Sequence, residues 1–250
     1  MTPKRPEPIP SVPRPSRTAR AEQLPLELSH DASRSRDDLV ISDPLTAAVT
    51  IIDRWPDWKS PVVILCGPRG AGKSHLASIW RQQADALDID LAQAGNSVLE
   101  PARGRHVLIE DIDRAAFDET VLFHLINDVR QQGMSMLMTT RLWPAAWTVE
   151  LPDLRSRLRA ATVVEIGEPD DELLSQVIVK LFADRQVAID ARVVAYLVAR
   201  MERSLETAQA LVAEIDRMAL SRRARISTAL AGEALARLAD GGTRQAGGDD

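Results

Sequence analysis

The sequence predicts an α/β fold: a parallel five-stranded sheet flanked by helices, followed by a small all-helical part. Three observations carry this. Short apolar, β-branched runs alternate with amphipathic segments from about residue 43 to residue 166, the pattern of a parallel sheet with helices on both faces. One such run, Pro61-Val62-Val63-Ile64-Leu65-Cys66, feeds Gly67-Pro68-Arg69-Gly70-Ala71-Gly72-Lys73-Ser74, which fits G-x-x-x-x-G-K-[ST], the phosphate-binding P-loop. After Pro169 strand patterning stops and only helical spacing remains.

The first 38 residues differ from the rest. Pro3, Pro6, Pro8, Pro10, Pro13, Pro15 and Pro25 sit among scattered Arg and Ser. Such a segment cannot bury enough surface to order itself, so a disordered tail is expected over 1–38. Asp43-Pro44 reads as a helix start, with proline at the first helical position, and Pro56 stops that helix near Trp55. The strand at about 61–66 leads through the P-loop to a helix at about 73–86. A short run at Ile89-Asp90-Leu91 is the candidate second strand. His106-Val107-Leu108-Ile109-Glu110-Asp111 is a buried strand with an acidic end, and a helix follows at about 118–132, with Val121, Leu122, Leu125, Ile126 and Val129 at helical spacing. Met134 to Thr140 is the fourth strand. Pro152 starts a short helix, and Thr162 to Ile166 is the fifth strand. Helices are expected near 170–184, 190–202, 204–222 and 227–239. The expected organisation is therefore a nucleotide-binding α/β domain over 39–167, a helical lid over 168–240 and a polar tail over 241–250.

Composition bounds the function. The chain has 250 residues, 45% hydrophobic and 27% charged, with a formal net charge of −5. That balance argues against broad, non-specific nucleic-acid binding, which wants a basic surface. Cys66 is the single cysteine, so a disulfide framework is excluded and a reducing cytoplasm is the expected location. No apolar run reaches the length of a membrane span, and the proline-rich start lacks a signal-peptide core.

Each part of the P-loop has a physical task. The glycines let the backbone form a nest of N–H groups facing phosphate oxygens, and the following helix adds the positive end of its dipole. Lys73 reaches the β- and γ-phosphates, and the Ser74 hydroxyl ligates Mg²⁺. The expected nucleotide-binding set is Gly67, Pro68, Arg69, Gly70, Ala71, Gly72, Lys73, Ser74 and His75, for ADP or ATP. Two adjacent carboxylates end the third strand. Glu110 would hold Mg²⁺ through water and Asp111 would polarise an attacking water or sense the γ-phosphate; the bland alternative is a solvated strand end. Thr139 and Thr140 end the next strand, where a hydroxyl meets the γ-phosphate or the lytic water, Thr140 being the nominated one. Leu154-Arg155-Ser156-Arg157-Leu158-Arg159 places three arginines on a short helix. They form either a solvated basic face or an arginine finger for a neighbouring molecule's phosphate. Arg203 opens a lid helix, from which it could fold onto phosphates. In the tail, Gln23-Leu24-Pro25-Leu26-Glu27-Leu28 sets alternate leucines on a proline-stiffened peptide. That is either a docking peptide for an apolar groove, a chance apolar patch in a linker, or a strand on its own domain.

Taken together, these pieces resemble the AAA+ ATPases, and within them the bacterial replication-initiator (DnaA) group, over roughly residues 40 to 238. The order of P-loop, acidic strand end, Thr139-Thr140, Ser-Arg-Leu helix and helical lid matches that group. The resemblance places Thr139 or Thr140 at the sensor-1 position, Arg157 at the arginine finger and Arg203 at the sensor-2 arginine. Two features depart from the initiator itself. No helix-turn-helix domain follows the lid, and the stretch from Leu91 to His106 is too short for the initiator's extra helical insertion. Gln23, Leu24, Leu26 and Leu28 look like the hexapeptide that binds the DNA polymerase sliding clamp. A clamp peptide before an initiator-like module resembles the Hda group, the regulatory inactivators of the initiator. This resemblance implies a clamp-tethered, nucleotide-bound protein that makes the initiator hydrolyse its ATP. The implied partners are the clamp and the initiator, self-association is an open option, and DNA is met only through the clamp. A working ATPase of the initiator or helicase-loader kind, and an adaptor using the fold only as a scaffold, are the alternatives.

Overall fold

The computed structural model describes Val40 and residues 43–245. The chain builds helix α1 (Asp43–Asp53), strand β1 (Val62–Cys66), α2 (Lys73–Ala84), β2 (Leu87–Asp88), α3 (Leu91–Ala94), α4 (Leu99–Ala102), β3 (Val107–Ile109), α5 (Glu119–Gln131), β4 (Met136–Thr140), α6 (Pro152–Arg159) and β5 (Thr162–Glu165). Four more helices follow: α7 (Asp171–Asp184), α8 (Ala191–Val198), α9 (Leu205–Arg222) and α10 (Thr228–Gln245). The strands form a five-stranded sheet in the order β2-β3-β4-β1-β5, and every pairing is parallel. The expected fold class is therefore the observed one.

Strand alternation divides the core into two layers. Val62 and Ile64 of β1, with Met136 and Met138 of β4, face the side covered by α5 and α6. Val63 and Leu65, with Leu137, face the side covered by α1 and α2. Burial on both faces explains why β1 and β4 read as continuous apolar runs rather than alternating ones. Helix α1 buries Leu45, Ala48, Val49 and Ile52, the i, i+3, i+4, i+7 stripe. Beneath that layer lies an aromatic cluster. Trp58 stacks on Trp80 at 5.3 Å between ring centroids, Trp55 meets Trp80 edge-on at 6.5 Å, and His106 packs edge-on against Trp55 at 5.3 Å.

Several boundaries differ from expectation, among them α8, which stops at Val198 rather than near 202, and β4, which begins at Met136 rather than Met134. The second strand lies at Leu87–Asp88, not at 89–91; Ile89 still donates its N–H to Leu108 O at 2.9 Å, but Asp90 is already the N-cap of α3, accepting from the Ala92 N–H. A two-residue edge strand has no period to read. Helix α1 ends at Asp53, before a turn that brings the Trp55 N–H to Ile52 O. The polar tail expected from 241 is helical through Gln245.

Helices α7 to α10 pack around their own apolar cluster, which includes Leu174, Phe182, Leu197, Leu211, Val212 and Ile215. Side-chain caps start all four, Ser227 Oγ accepting from the Leu230 N–H at α10. Asp170 accepts from the Leu173 N–H, Asp190 from the Arg192 N–H and Ser204 from the Thr207 N–H, each satisfying an N–H that the helix cannot. No described helix is long and apolar enough to cross a membrane.

Candidate functional site

The P-loop connects β1 to α2 at the carboxyl edge of the sheet, where open α/β folds bind ligands. Gly70 (φ 70) and Gly72 (φ 99) adopt left-handed backbone, the conformation for which glycine is the default residue. Space is limiting as well. A Cβ on Gly67 would stand 2.3 Å from Ile166 O, and one on Gly70 would stand 2.0 Å from Ser204 Oγ. Inside the loop, Lys73 is only 6% exposed, and its Nζ donates to Gly67 O and Pro68 O at 2.7 Å each. Burial pushes the pKa of this ammonium down, and the Asp111 carboxylate opposes that shift. A buried cation set in a glycine cradle at a helix N-terminus fits a phosphate ligand. Ser74 is exposed beside it and His75 is half-buried.

The acidic strand end is held from β4. Asp111 takes a left-handed backbone conformation (φ 47), tolerated by Asp more than by most residues. Its N–H donates to Thr139 Oγ1 at 2.8 Å, and the Ile112 N–H donates to Thr139 O at 3.0 Å. Both threonines are fully buried. It is Thr139 whose hydroxyl meets the acidic pair; the Thr140 hydroxyl turns into its own loop and donates to Leu142 O at 2.8 Å. Thr140 nevertheless joins the site through its backbone, since its carbonyl accepts from the Gly67 N–H at 3.2 Å. Glu110 is half-buried at the end of β3.

Two charged residues join this neighbourhood that the sequence reading did not single out. Arg141 reaches the Asp111 carboxylate at 3.9 Å, and its charge also acts on Lys73. Asp113 fixes the loop behind it, its Oδ2 accepting from the Arg141 and Leu142 N–H groups at 2.9 and 3.0 Å. No motif marks either residue; only the parallel neighbouring of β3 and β4 makes them meet.

The remaining expected residues fall in three places. Arg69 turns away from the loop interior and forms a two-pronged pair with Glu206, at 3.0 Å from Nε and 2.9 Å from Nη2. Arg203 is tied to the β5–α7 connection, at 2.8 Å from Asp171 and 3.3 Å from Pro169 O. Arg157 lies half-buried in the last turn of α6. Its neighbour Arg155 donates to Val149 O, whereas Arg157 makes no ion pair or side-chain hydrogen bond among the described residues. Gln23, Leu24, Leu26 and Leu28 lie outside the described residues. Among those described, no three His, Cys, Asp or Glu side chains gather as a metal-binding group. A Mg²⁺ ion carried by phosphates does not require one, because it keeps its waters and takes only one or two protein ligands.

Comparison with known proteins shows what kind of fold this is. No family model matches the chain. An uncharacterized protein of Haemophilus influenzae is 23% identical over 199 residues, spanning 74% of this chain and 86% of that protein. Among solved structures, domain III of the replication initiation protein DnaA of Thermotoga maritima superposes with a TM-score of 0.72 at 16% identity, covering 83% of this chain and 97% of that one. AMPPCP-bound DnaA from Aquifex aeolicus gives 0.62 at 17% identity, covering 75% and 68%. The RuvB Holliday junction branch migration motor of Thermotoga maritima gives 0.60 at 20% identity, covering 82% and 72%. The chain shares the fold of these solved structures, a P-loop α/β sheet flanked by helices.

Proposed function

We propose that this chain is a nucleotide-bound regulator of chromosome replication. In this reading it binds the DNA polymerase sliding clamp through Gln23–Leu28 and uses Arg157 to stimulate ATP hydrolysis by the replication initiator, as the Hda group does, so that re-initiation is blocked. The observation that carries the nucleotide part is the buried Lys73 in its glycine cradle, set in a fold shared with AMPPCP-bound DnaA. The phosphates of ADP or ATP would draw Lys73 Nζ from the carbonyls of Gly67 and Pro68. Ser74 and Glu110 are the residues that would hold Mg²⁺, which supplies charge neutralisation to the phosphates when bound. Thr139 keeps Asp111 in place through its backbone N–H. Arg141 stands 3.9 Å from the Asp111 carboxylate, which places a second cation beside the acidic strand end.

Arg157 supports the acting-in-trans part. A guanidinium with no ion pair or side-chain hydrogen bond among the described residues is suited to neutralise charge on a neighbour's phosphoryl group, an effect worth roughly 10³–10⁵ in rate. The test is release of labelled phosphate from the ATP-bound initiator in the presence of DNA-loaded clamp. The wild-type chain should stimulate release. Arg157→Ala should retain clamp binding yet fail to stimulate, and Gln23→Ala with Leu24→Ala should fail to bind the clamp at all. Full stimulation by Arg157→Ala would return α6 to a solvated basic face, leaving the nucleotide site intact as a separate matter.

A further inference from the structure

The start of α9 rests directly on the P-loop, and it does so through charge as well as packing. The Leu205 N–H donates to Gly70 O at 2.8 Å. Ser204 lies so close over Gly70 that no side chain fits between them, and Leu205 Cδ1 comes within 3.3 Å of where a Gly72 Cβ would be. Beside this contact, Arg69 of the loop and Glu206 of the helix, 137 positions apart in the chain, form the two-pronged pair. The planar guanidinium fork matches a carboxylate in this geometry. The loop arginine is thereby directed outward, leaving Lys73 as the cation inside the cradle.

We infer that Arg69 and Glu206 form a latch between the P-loop and the lid, and that Glu206 is a positioning residue that slows the escape of a bound adenine nucleotide. The inference rests on the nucleotide-binding reading above and deepens it. The loop must hold its glycine geometry to keep its N–H groups on phosphate, and α9 is seated on two of those glycines. Lifting α9 breaks the ion pair, the Leu205–Gly70 hydrogen bond and the Ser204 contact together. The latch therefore sits on the exit step. Both partners are largely exposed, 69% and 58%, so the pair is screened by salt and modest in strength.

The experiment measures release of a fluorescent ADP analogue from the full-length protein on mixing with excess ADP. Glu206→Gln should release about two- to fivefold faster than wild type at low ionic strength, the range for an exposed pair, and the difference should shrink toward none as salt is raised. Arg69→Glu alone should release faster still, because two carboxylates then face each other. Combining Arg69→Glu with Glu206→Arg should restore slow release. A merely structural role would move the melting temperature instead, and would show neither the salt dependence nor the rescue. Release at the wild-type rate by Glu206→Gln, or no rescue by the exchanged pair, overturns the latch alone. A wild-type protein that fails to retain the analogue overturns the nucleotide-binding reading, and the latch with it.

Discussion

Lys73 ties the glycine loop together with its own ammonium. Its two 2.7 Å hydrogen bonds go to Gly67 O and Pro68 O, the second of which also accepts from the Ala71 N–H. Lys73→Ala removes the cation and those two bonds together. We expect ADP and ATP affinity to fall tenfold or more, at least about 1.4 kcal/mol, with the far-ultraviolet circular dichroism unchanged. Isothermal titration is the measurement, and an unaltered affinity would sink the assignment of this loop as the nucleotide site. His106 illustrates a different residue-scale effect. Burial against the tryptophans lowers its pKa below the free-histidine value, and its Nδ1 accepts from the Ser135 N–H at 2.9 Å, which requires the neutral ring. The unfolded chain takes up a proton near pH 6.5, whereas the folded chain does so only at lower pH. Unfolding is then favoured by protons: the stabilisation is complete above about pH 6.5 and is lost as pH falls toward the lowered folded value. Melting temperatures across that range should fall for wild type and fall less steeply for His106→Gln.

At the scale of elements, α5 and α6 work as a unit. Asp118 caps α5, accepting from the Thr120 and Val121 N–H groups at 2.8 and 3.2 Å. One residue on, Glu119 accepts from the Glu150 and Leu151 N–H groups, which sets the backbone that enters α6 and leads to Arg157. Asp118→Ala should cost about 1 kcal/mol, the usual loss for an N-cap, read as a lower urea midpoint at unchanged slope. The first-turn amides of α5 should also exchange faster, while those of α9 should not. The lid uses a different device. Glu214 bridges Arg217 and Arg237, and Glu233 bridges Arg222 and Arg237, which ties α9 to α10 across its exposed side. The Glu233 pairs, exposed on both sides, add little beyond the apolar cluster beneath them.

Over the whole molecule, what could be read in advance follows from what has a period or a fixed spacing. The five parallel strands and the P-loop were legible because buried runs and the Gly67–Ser74 spacing are local. The second strand was misplaced because two residues carry no alternation. Thr139 and Thr140 could not be separated from sequence, since the choice depends on which of the two side chains the chain leaving β3 crosses over at Asp111. The Arg69–Glu206 pair and the Arg141–Asp111 pair were invisible because only the tertiary fold brings their segments together, the lid helix onto the P-loop in the first and β4 beside β3 in the second. The stacked indoles beneath α1 have an optical consequence. Trp58 and Trp80, 5.3 Å apart with an interplanar angle of 18°, are close enough for their electronic transitions to couple, and coupled chromophores give a two-signed circular-dichroism band. Trp80 belongs to the helix that begins at Lys73, while Trp58 sits on the turn after α1. A tilt of that helix changes the angle between the transition moments, and with it the sign and size of the band. The protein thus carries an unlabelled optical gauge of its own P-loop helix.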